Sequence, residues 1–287
     1  MKCNIICGLA ISTLLIAAPL RIANAADVAL KAPPPPPPPA WSWTGFYLGG
    51  EVGGRWDNAR WNTTCIEAGA PFAACPNLTG NPVDAARFFV NNPQTFNSSS
   101  LWGGVYAGYN WQVATSWVWG VEGNFAWGNN SSTQGGIPGA ESPTVAGAPG
   151  LDSSNVKQTW DASLRLRGGF LVTPQTLVYV TGGAAFTRVQ FSAFCGTAYP
   201  VGWCTAAADI GLTSTITSTR AGWTVGGGIE TRLWGNWLGR AEYRYADYGT
   251  VSGTLFGSPV GVAAGDAITA SVRLHSNIGL VGLAYKF

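Results

Sequence analysis

The last seven residues alternate, with Val281, Leu283, Tyr285 and Phe287 on one side and Gly282, Ala284 and Lys286 on the other. A period of two belongs to a strand with one apolar face. The same rhythm predicts strands near 44–56, 101–112, 117–128, 157–170, 177–190, 220–233, 237–248 and 268–287. In the first, Phe46, Leu48, Val52 and Trp56 oppose Tyr47, Glu51 and Arg55. In the third, Trp117, Trp119, Val121, Phe125 and Trp127 oppose Glu122 and Asn124. The fourth sets Trp160, Ala162, Leu164, Leu166 and Phe170 against Asp161, Arg165 and Arg167. The sixth sets Trp223, Val225, Ile229 and Leu233 against Arg220, Glu230 and Arg232, and the seventh sets Trp237, Ala241, Tyr243 and Tyr245 against Arg240, Glu242 and Arg244. In these five stretches only Asp247, at a strand end, falls out of phase.

The connections also alternate. Those at Val113 to Ser116, Leu171 to Thr176 and Trp234 to Asn236 are tight, while the others are long and rich in Gly, Ser, Asn and Pro. A chain ending on a strand leaves an open edge of backbone donors and acceptors unless the sheet closes on itself. Eight antiparallel strands with short turns at one end and long loops at the other therefore predict an all-β transmembrane barrel, both of whose ends lie on the short-turn, periplasmic side.

Alternation alone does not separate a soluble sandwich, with charges facing water, from a membrane barrel, with aromatics facing lipid and charges in the lumen. Composition bears on that choice. Asp, Glu, Lys and Arg make up 10% of the 287 residues, beside 39 glycines and 14 tryptophans. So little charge suits a soluble surface poorly, yet no mature segment supplies the roughly 20 apolar residues of a spanning helix. The amino terminus points the same way. Lys2, an apolar stretch from Ile5 to Leu20 and Ala23-Asn24-Ala25 read as a secretory signal peptide over 1–25. Residues 26–43 form a Pro-rich linker in which Pro33 to Pro39 would adopt polyproline II, a stiff spacer of roughly 22 Å. The barrel then occupies 44–287.

In that barrel Trp43, Trp56, Trp111, Trp117, Trp127, Trp237 and Phe287 are expected in two interfacial girdles. Two stretches fit less well. Arg188 breaks the phase of Val178, Val180 and Phe186, and the phase of Phe287 turns Ile278 and Leu280 inward and Asn277 outward, for which a bulge is the expected cause.

Particular residues carry a family resemblance. Trp43-Thr44-Gly45-Phe46-Tyr47-Leu48-Gly49-Gly50 after a Pro-rich linker resembles the opening of the alphaproteobacterial outer-membrane immunogenic proteins, which are small, porin-like eight-stranded barrels. Gly226 to Glu230, Arg240 to Gly249 and the ending Gly282 to Phe287 resemble them too, whereas the loops, above all 57–99, do not. The resemblance implies an abundant outer-membrane component that is antigenic at the cell surface. Tyr285 and Phe287 also resemble the terminal signal by which the barrel-assembly machinery recognises its substrates.

The chemistry expected is sparse. A nucleophilic triad needs a His, and the single one, His275, neighbours Ser276, whose side chain a strand would send to the opposite face. One His and four mature cysteines without a CxxC spacing argue against a metal site. No helix follows Gly226 to Gly228, so they make no phosphate loop; such glycines instead give room to neighbouring side chains. No cofactor is expected. Cleavage after Ala25 leaves 14 basic and 14 acidic residues, which gives no electrostatic case for nucleic acid. Cys65 and Cys75 share the first long loop and Cys195 and Cys204 the third; three pairings are possible, and the local one closes the shortest loops.

The lumen carries the remaining content. Glu51, Glu122, Asp161, Glu230 and Glu242 should face Arg55, Arg165, Arg167, Arg220, Arg232, Arg240 and Arg244. An eight-stranded barrel is about wide enough for its own side chains, so a paired polar core outweighs a conducting path. The sequence thus supports a non-catalytic structural and surface-interaction protein of the outer membrane, with outer-membrane lipid and lipopolysaccharide as surroundings. A narrow diffusion channel is the alternative, and no loop ligand is specified.

Overall fold

The computed structural model describes residues 41–68, 72–74, 91–139, 152–196, 211–256 and 267–287. The expected signal peptide, the proline tract, Cys75 and Cys204 lie outside them. Nine strands follow in order: β1 (Gly45–Ala68), β2 (Phe72–Ala74), β3 (Gln94–Gln112), β4 (Trp117–Gly135), β5 (Ser153–Thr173), β6 (Thr176–Phe194), β7 (Thr213–Trp234), β8 (Trp237–Leu255) and β9 (Ala267–Lys286). Every long strand pairs antiparallel with its neighbour in sequence, and β9 returns to β1, closing an eight-stranded ring. β2 only extends the far end of β1. The three tight turns fall where the sequence places them, but all eight strands run further into the expected loops.

The length of the strands divides into two zones. On four strands an outward apolar run covers eleven residues, ten steps along the strand: Phe46 to Trp56, Trp117 to Trp127, Trp160 to Phe170 and Trp223 to Leu233. At about 3.4 Å per residue and a tilt near 40°, ten steps climb roughly 26 Å, the height of an outer-membrane apolar band. Between these levels the outward positions are mostly exposed Phe, Leu, Val, Trp, Ile and Tyr with intervening Gly and Ala, and Thr231 near the lower end of its run. Ring pairs brace the lower girdle, among them Trp117–Phe170 at 5.4 Å and Trp237–Tyr285 at 5.4 Å. Trp56, Trp127 and Trp223 are half exposed in the upper one.

Above the upper girdle the polarity inverts. Outward positions become Asn58, Arg60, Ser131, Thr133, Thr217 and Thr219. Inward ones become Ala59, Trp61, Phe96, Val156, Val189, Phe191, Val251, Leu255, Ile268, Val272 and Leu274, joined in one buried apolar cluster. A strand segment outside lipid must face water on its outer side, so it follows the rule of a soluble barrel. Three register shifts accompany this change, at Trp127/Asn130, Gln158/Asp161 and Asp247/Thr250.

Three expectations need correction. Trp43 is no girdle residue: it is buried in the lower mouth of the lumen, its indole Nε1 donating to the Pro174 carbonyl at 3.3 Å. Trp41 packs edge-on against it at 4.9 Å, so the folded unit begins at Trp41 and not after a linker ending at 43. The inward Ile278 and Leu280 need no bulge, because β9 stays in continuous register with β1 and β8 through 277–281. Asn277 does point outward, and its Oδ1 accepts a hydrogen bond from the Tyr243 hydroxyl at 2.7 Å.

Candidate functional site

The lumen is where the chain concentrates its polar chemistry, and it is filled in three layers. The lowest is aromatic: Trp43, Tyr47, Tyr106, Val118, Leu171, Leu177, Tyr179 and Leu238 pack together, with Trp41 against them. Glycine makes room for these rings. A Cβ at Gly49 would stand 2.7 Å from the Tyr106 ring, and one at Gly228 would stand 2.8 Å from the Tyr179 hydroxyl. That is the role expected of the triple glycine.

The middle layer is ionic. Glu122 accepts from Arg165 at 2.5 Å, from Arg240 at 2.7 Å and from the Tyr47 hydroxyl at 2.8 Å, with Arg167 at 3.5 Å. Arg165 reaches from Glu122 to Glu242, also at 2.5 Å, and the Tyr179 hydroxyl donates to the other Glu242 oxygen at 2.7 Å. Arg240 bridges Glu51 and Glu122, lies 4.0 Å from Glu242, and stacks on the Tyr106 ring at 3.4 Å. Arg167 joins Glu230 at 3.1 Å and stacks on Tyr179 at 4.0 Å. Higher up, Arg55 holds Asp57 at 2.9 Å and Asp161 at 3.4 Å while covering the Trp102 ring at 4.4 Å. Arg244 takes Asn124 at 2.9 Å and Asp161 at 3.8 Å. Guanidinium planes lying on aromatic faces add attraction and occupy the space that water would need.

Ten of the twelve luminal charges read from the sequence meet in this network. The two exceptions are arginines. Arg220 donates instead to the Thr250 backbone carbonyl at 2.7 Å, and Arg232 turns into the lower mouth, donating to the Gly235 carbonyl at 2.6 Å beneath Trp41. Asp57 was missed because the sequence-based strand stops at 56. It shares the inward phase of Glu51 and Arg55, and accepts from Asn130 and Ser276 as well as Arg55. Asn124, whose inward face the alternation does give, and Ser163 relay between Glu51 and Arg244, a role that uncharged side chains do not betray.

The third layer is the apolar cluster of the upper zone, capped by Trp61 edge-on to Phe191 at 5.3 Å. Between the ionic and apolar layers the residual space is small. A cavity of about 20 Å³ touches Glu51, Arg55, Asp161 and Arg244, and one of about 10 Å³ touches Asp57 and Gln158. Each has room for about one water molecule. His275 and Ser276 stand on opposite faces of β9: Ser276 is fully buried and hydrogen-bonded to Arg55 and Asp57, while His275 faces outward beside Tyr245 at 6.0 Å. Cys65 and Cys195 are both disulfide-bonded. Peptide mapping without reduction should show Cys65 linked to Cys75 and Cys195 to Cys204; a Cys65–Cys204 peptide would mean that the first and third long loops are tied together.

A closed ring of eight strands, an apolar band between aromatic girdles and a charged interior define an integral outer-membrane β-barrel. The chain belongs to the family described as "Outer membrane protein beta-barrel domain", which matches residues 13–287. It is similar to the 31 kDa outer-membrane immunogenic protein of Brucella melitensis, with 32% identity over 79% of this chain and 81% of that one. It is also similar to the 25 kDa outer-membrane immunogenic protein of the same species, at 30% identity over 64% of each chain. Among solved structures it is similar to the outer membrane protein OprG from Pseudomonas aeruginosa (14% identity, TM-score 0.49, 85% of this chain and 96% of that one). The family resemblance read from the strand motifs is thus established, and the protein is a surface β-barrel of the outer membrane.

Proposed function

We propose that this barrel is a closed, non-catalytic element of the outer membrane that works through its outer surfaces and not through its bore. Its short turns and both chain ends face the periplasm, and its upper zone stands roughly 20 Å or more beyond the apolar band on the cell exterior, given strand rise and tilt. The long loops then present the antigenic, partner-facing surface, and outer-membrane lipid surrounds the band. The observation that carries this reading is the three-layered filling of the lumen: an aromatic stopper, an ionic layer and an apolar core in series. A hydrated solute would have to break all three. The luminal carboxylates are engaged by arginines, and His275 faces outward, opposite Asp247, on the other face of β9 from the buried Ser276.

Refolded wild-type protein in planar bilayers should show no steady conductance. Large, solute-permeable currents from the monomer would overturn the closed reading in favour of a diffusion channel.

A further inference from the structure

Charged side chains on the outer wall have a one-sided distribution. Between the girdles the outward positions carry none among the described residues. Just above the upper girdle they carry Arg60, Lys157, Arg188 and Arg273, with His275 beside them, against one carboxylate, Asp247. These cations form two groups. Arg60 on β1 and Arg273 on β9 are direct register partners, and His275 lies two residues below Arg273. Lys157 and Arg188 lie on β5 and β6, on the opposite side of the ring from the β1–β9 seam. Lys157 shares the sequence parity of Asp161 and would face the lumen in a regular strand. The register shift between Gln158 and Asp161 turns it outward.

Among the described residues the β5–β6 group faces no carboxylate on the outer wall, and the β1–β9 group faces one, Asp247. Like charges placed directly opposite across two strands repel, yet Arg60 and Arg273 are paired this way. Asp247 bonds Arg273 at 3.0 Å and lies directly opposite His275, which leaves Arg60 as the excess cation of the seam. A position about four residues above Trp56 lies roughly 10 Å above the apolar band, given strand rise and tilt. That is headgroup depth. Chains of Arg and Lys at that depth recognise anionic headgroups, and guanidinium groups are suited to bidentate phosphate contacts.

We propose that these two basic faces bind the phosphate groups of a glycolipid in the outer leaflet, one lipid at the β1–β9 seam and one at β5–β6. The inference rests on the orientation given above, in which the long-loop end is extracellular.

The test uses the full mature chain refolded into phosphatidylcholine vesicles doped with bisphosphorylated lipid A, with fully dephosphorylated lipid A as the comparison. Lipid retained per barrel is measured after mild detergent extraction. Wild type should retain the phosphorylated form and not the dephosphorylated one, and millimolar inorganic phosphate should not displace it. Arg60→Ser/Arg273→Ser and Lys157→Ser/Arg188→Ser should each weaken their own site by about fivefold per cation removed, well over tenfold per pair. These positions face outward and lie outside the luminal network, and heat-modifiable migration on a gel reports that each variant has folded. Equal retention by wild type and folded variants, or equal retention of dephosphorylated lipid A, would overturn the lipid sites while leaving the barrel reading intact. Displacement by inorganic phosphate would replace the lipid by a free anion and also overturn the proposal. Failure of wild type to insert would bring down the outer-membrane orientation itself.

Discussion

Arg240→Met should lower the stability of the refolded barrel by about 3–5 kcal/mol, the usual cost of removing one partner from a buried ionic network. The geometry makes this the most damaging single change in the lumen. Arg240 bridges Glu51 and Glu122, approaches Glu242, and covers Tyr106. The balance of charge sharpens the argument. In the ionic layer six carboxylates (Glu51, Asp57, Glu122, Asp161, Glu230, Glu242) meet five arginines (Arg55, Arg165, Arg167, Arg240, Arg244), with the buried Lys286 lower down beside Trp41. Losing an arginine therefore widens the local excess of carboxylates in that layer. Losing a carboxylate narrows it: without Glu122, Arg240 keeps Glu51, Arg165 keeps Glu242 and Arg167 keeps Glu230. Glu122→Gln should thus cost clearly less than Arg240→Met, although Glu122 makes more contacts. Adding Glu51→Gln to Arg240→Met should recover part of the loss, a coupling that a double-mutant cycle reads directly. Denaturant midpoints measured on wild type, Arg240→Met, Glu122→Gln, Glu51→Gln and the double variant give the ranking and the coupling. An Arg240→Met midpoint at or above that of Glu122→Gln would refute the account of the ionic layer.

The same geometry revises what strand order alone suggests about Glu242. Its neighbours on one face of β8 are Arg240 and Arg244, and a reading confined to that strand pairs the three. Across the lumen other partners are nearer. Glu242 is held by Arg165 and Tyr179, while Arg244 goes to Asn124 and Asp161. Alternation assigns a face, and register assigns a partner, and only the first of these is written in a single strand.

Other features divide along the same line. The ring, its turns and the luminal phase of Glu51, Glu122, Arg165 and Arg240 were legible because lipid forces outward positions to be apolar over every membrane crossing. The upper zone was not. There apolar residues move to the inner face and small polar ones to the outer: Trp61 and Phe191 leave the apolar phase set lower on their strands, Val251 keeps its phase but is carried inward by the shift at Asp247/Thr250, and the alternation stops at the girdle. The shift at Gln158/Asp161 moves Lys157 to the outer wall without any local signature. Trp43 misled for a different reason: a tryptophan at a strand end suits a lipid interface and a lumen mouth equally well. Only the aromatic floor of Tyr47, Leu171 and Leu177 draws it inside.

Deleting Phe287 should abolish accumulation of the barrel in the outer membrane of living cells while barely affecting the barrel refolded in detergent. In the folded protein Phe287 does little. Its amide donates to the Phe46 carbonyl at 2.9 Å, and its ring, two-thirds exposed, leans on Phe46 at 5.8 Å and Tyr285 at 5.2 Å. The β1–β9 seam that closes the ring runs over twenty register pairs from Tyr47–Lys286 to Glu67–Ala267, and all of them survive the deletion. One hydrogen bond and two ring contacts of a largely exposed side chain are worth about 2 kcal/mol in total. A loss of that size would not empty the membrane, so a large deficit in cells would have to arise before folding, which is the outcome expected of an insertion signal at Tyr285 and Phe287. Phe287→Tyr should preserve accumulation, because an aromatic end remains. Phe287→Asp should remove it as the deletion does, leaving protease-sensitive chain in the periplasm. If the deletion and the Asp variant reach wild-type levels of heat-modifiable protein in the membrane, the terminal aromatic is only one more girdle residue and the insertion signal lies elsewhere on β9.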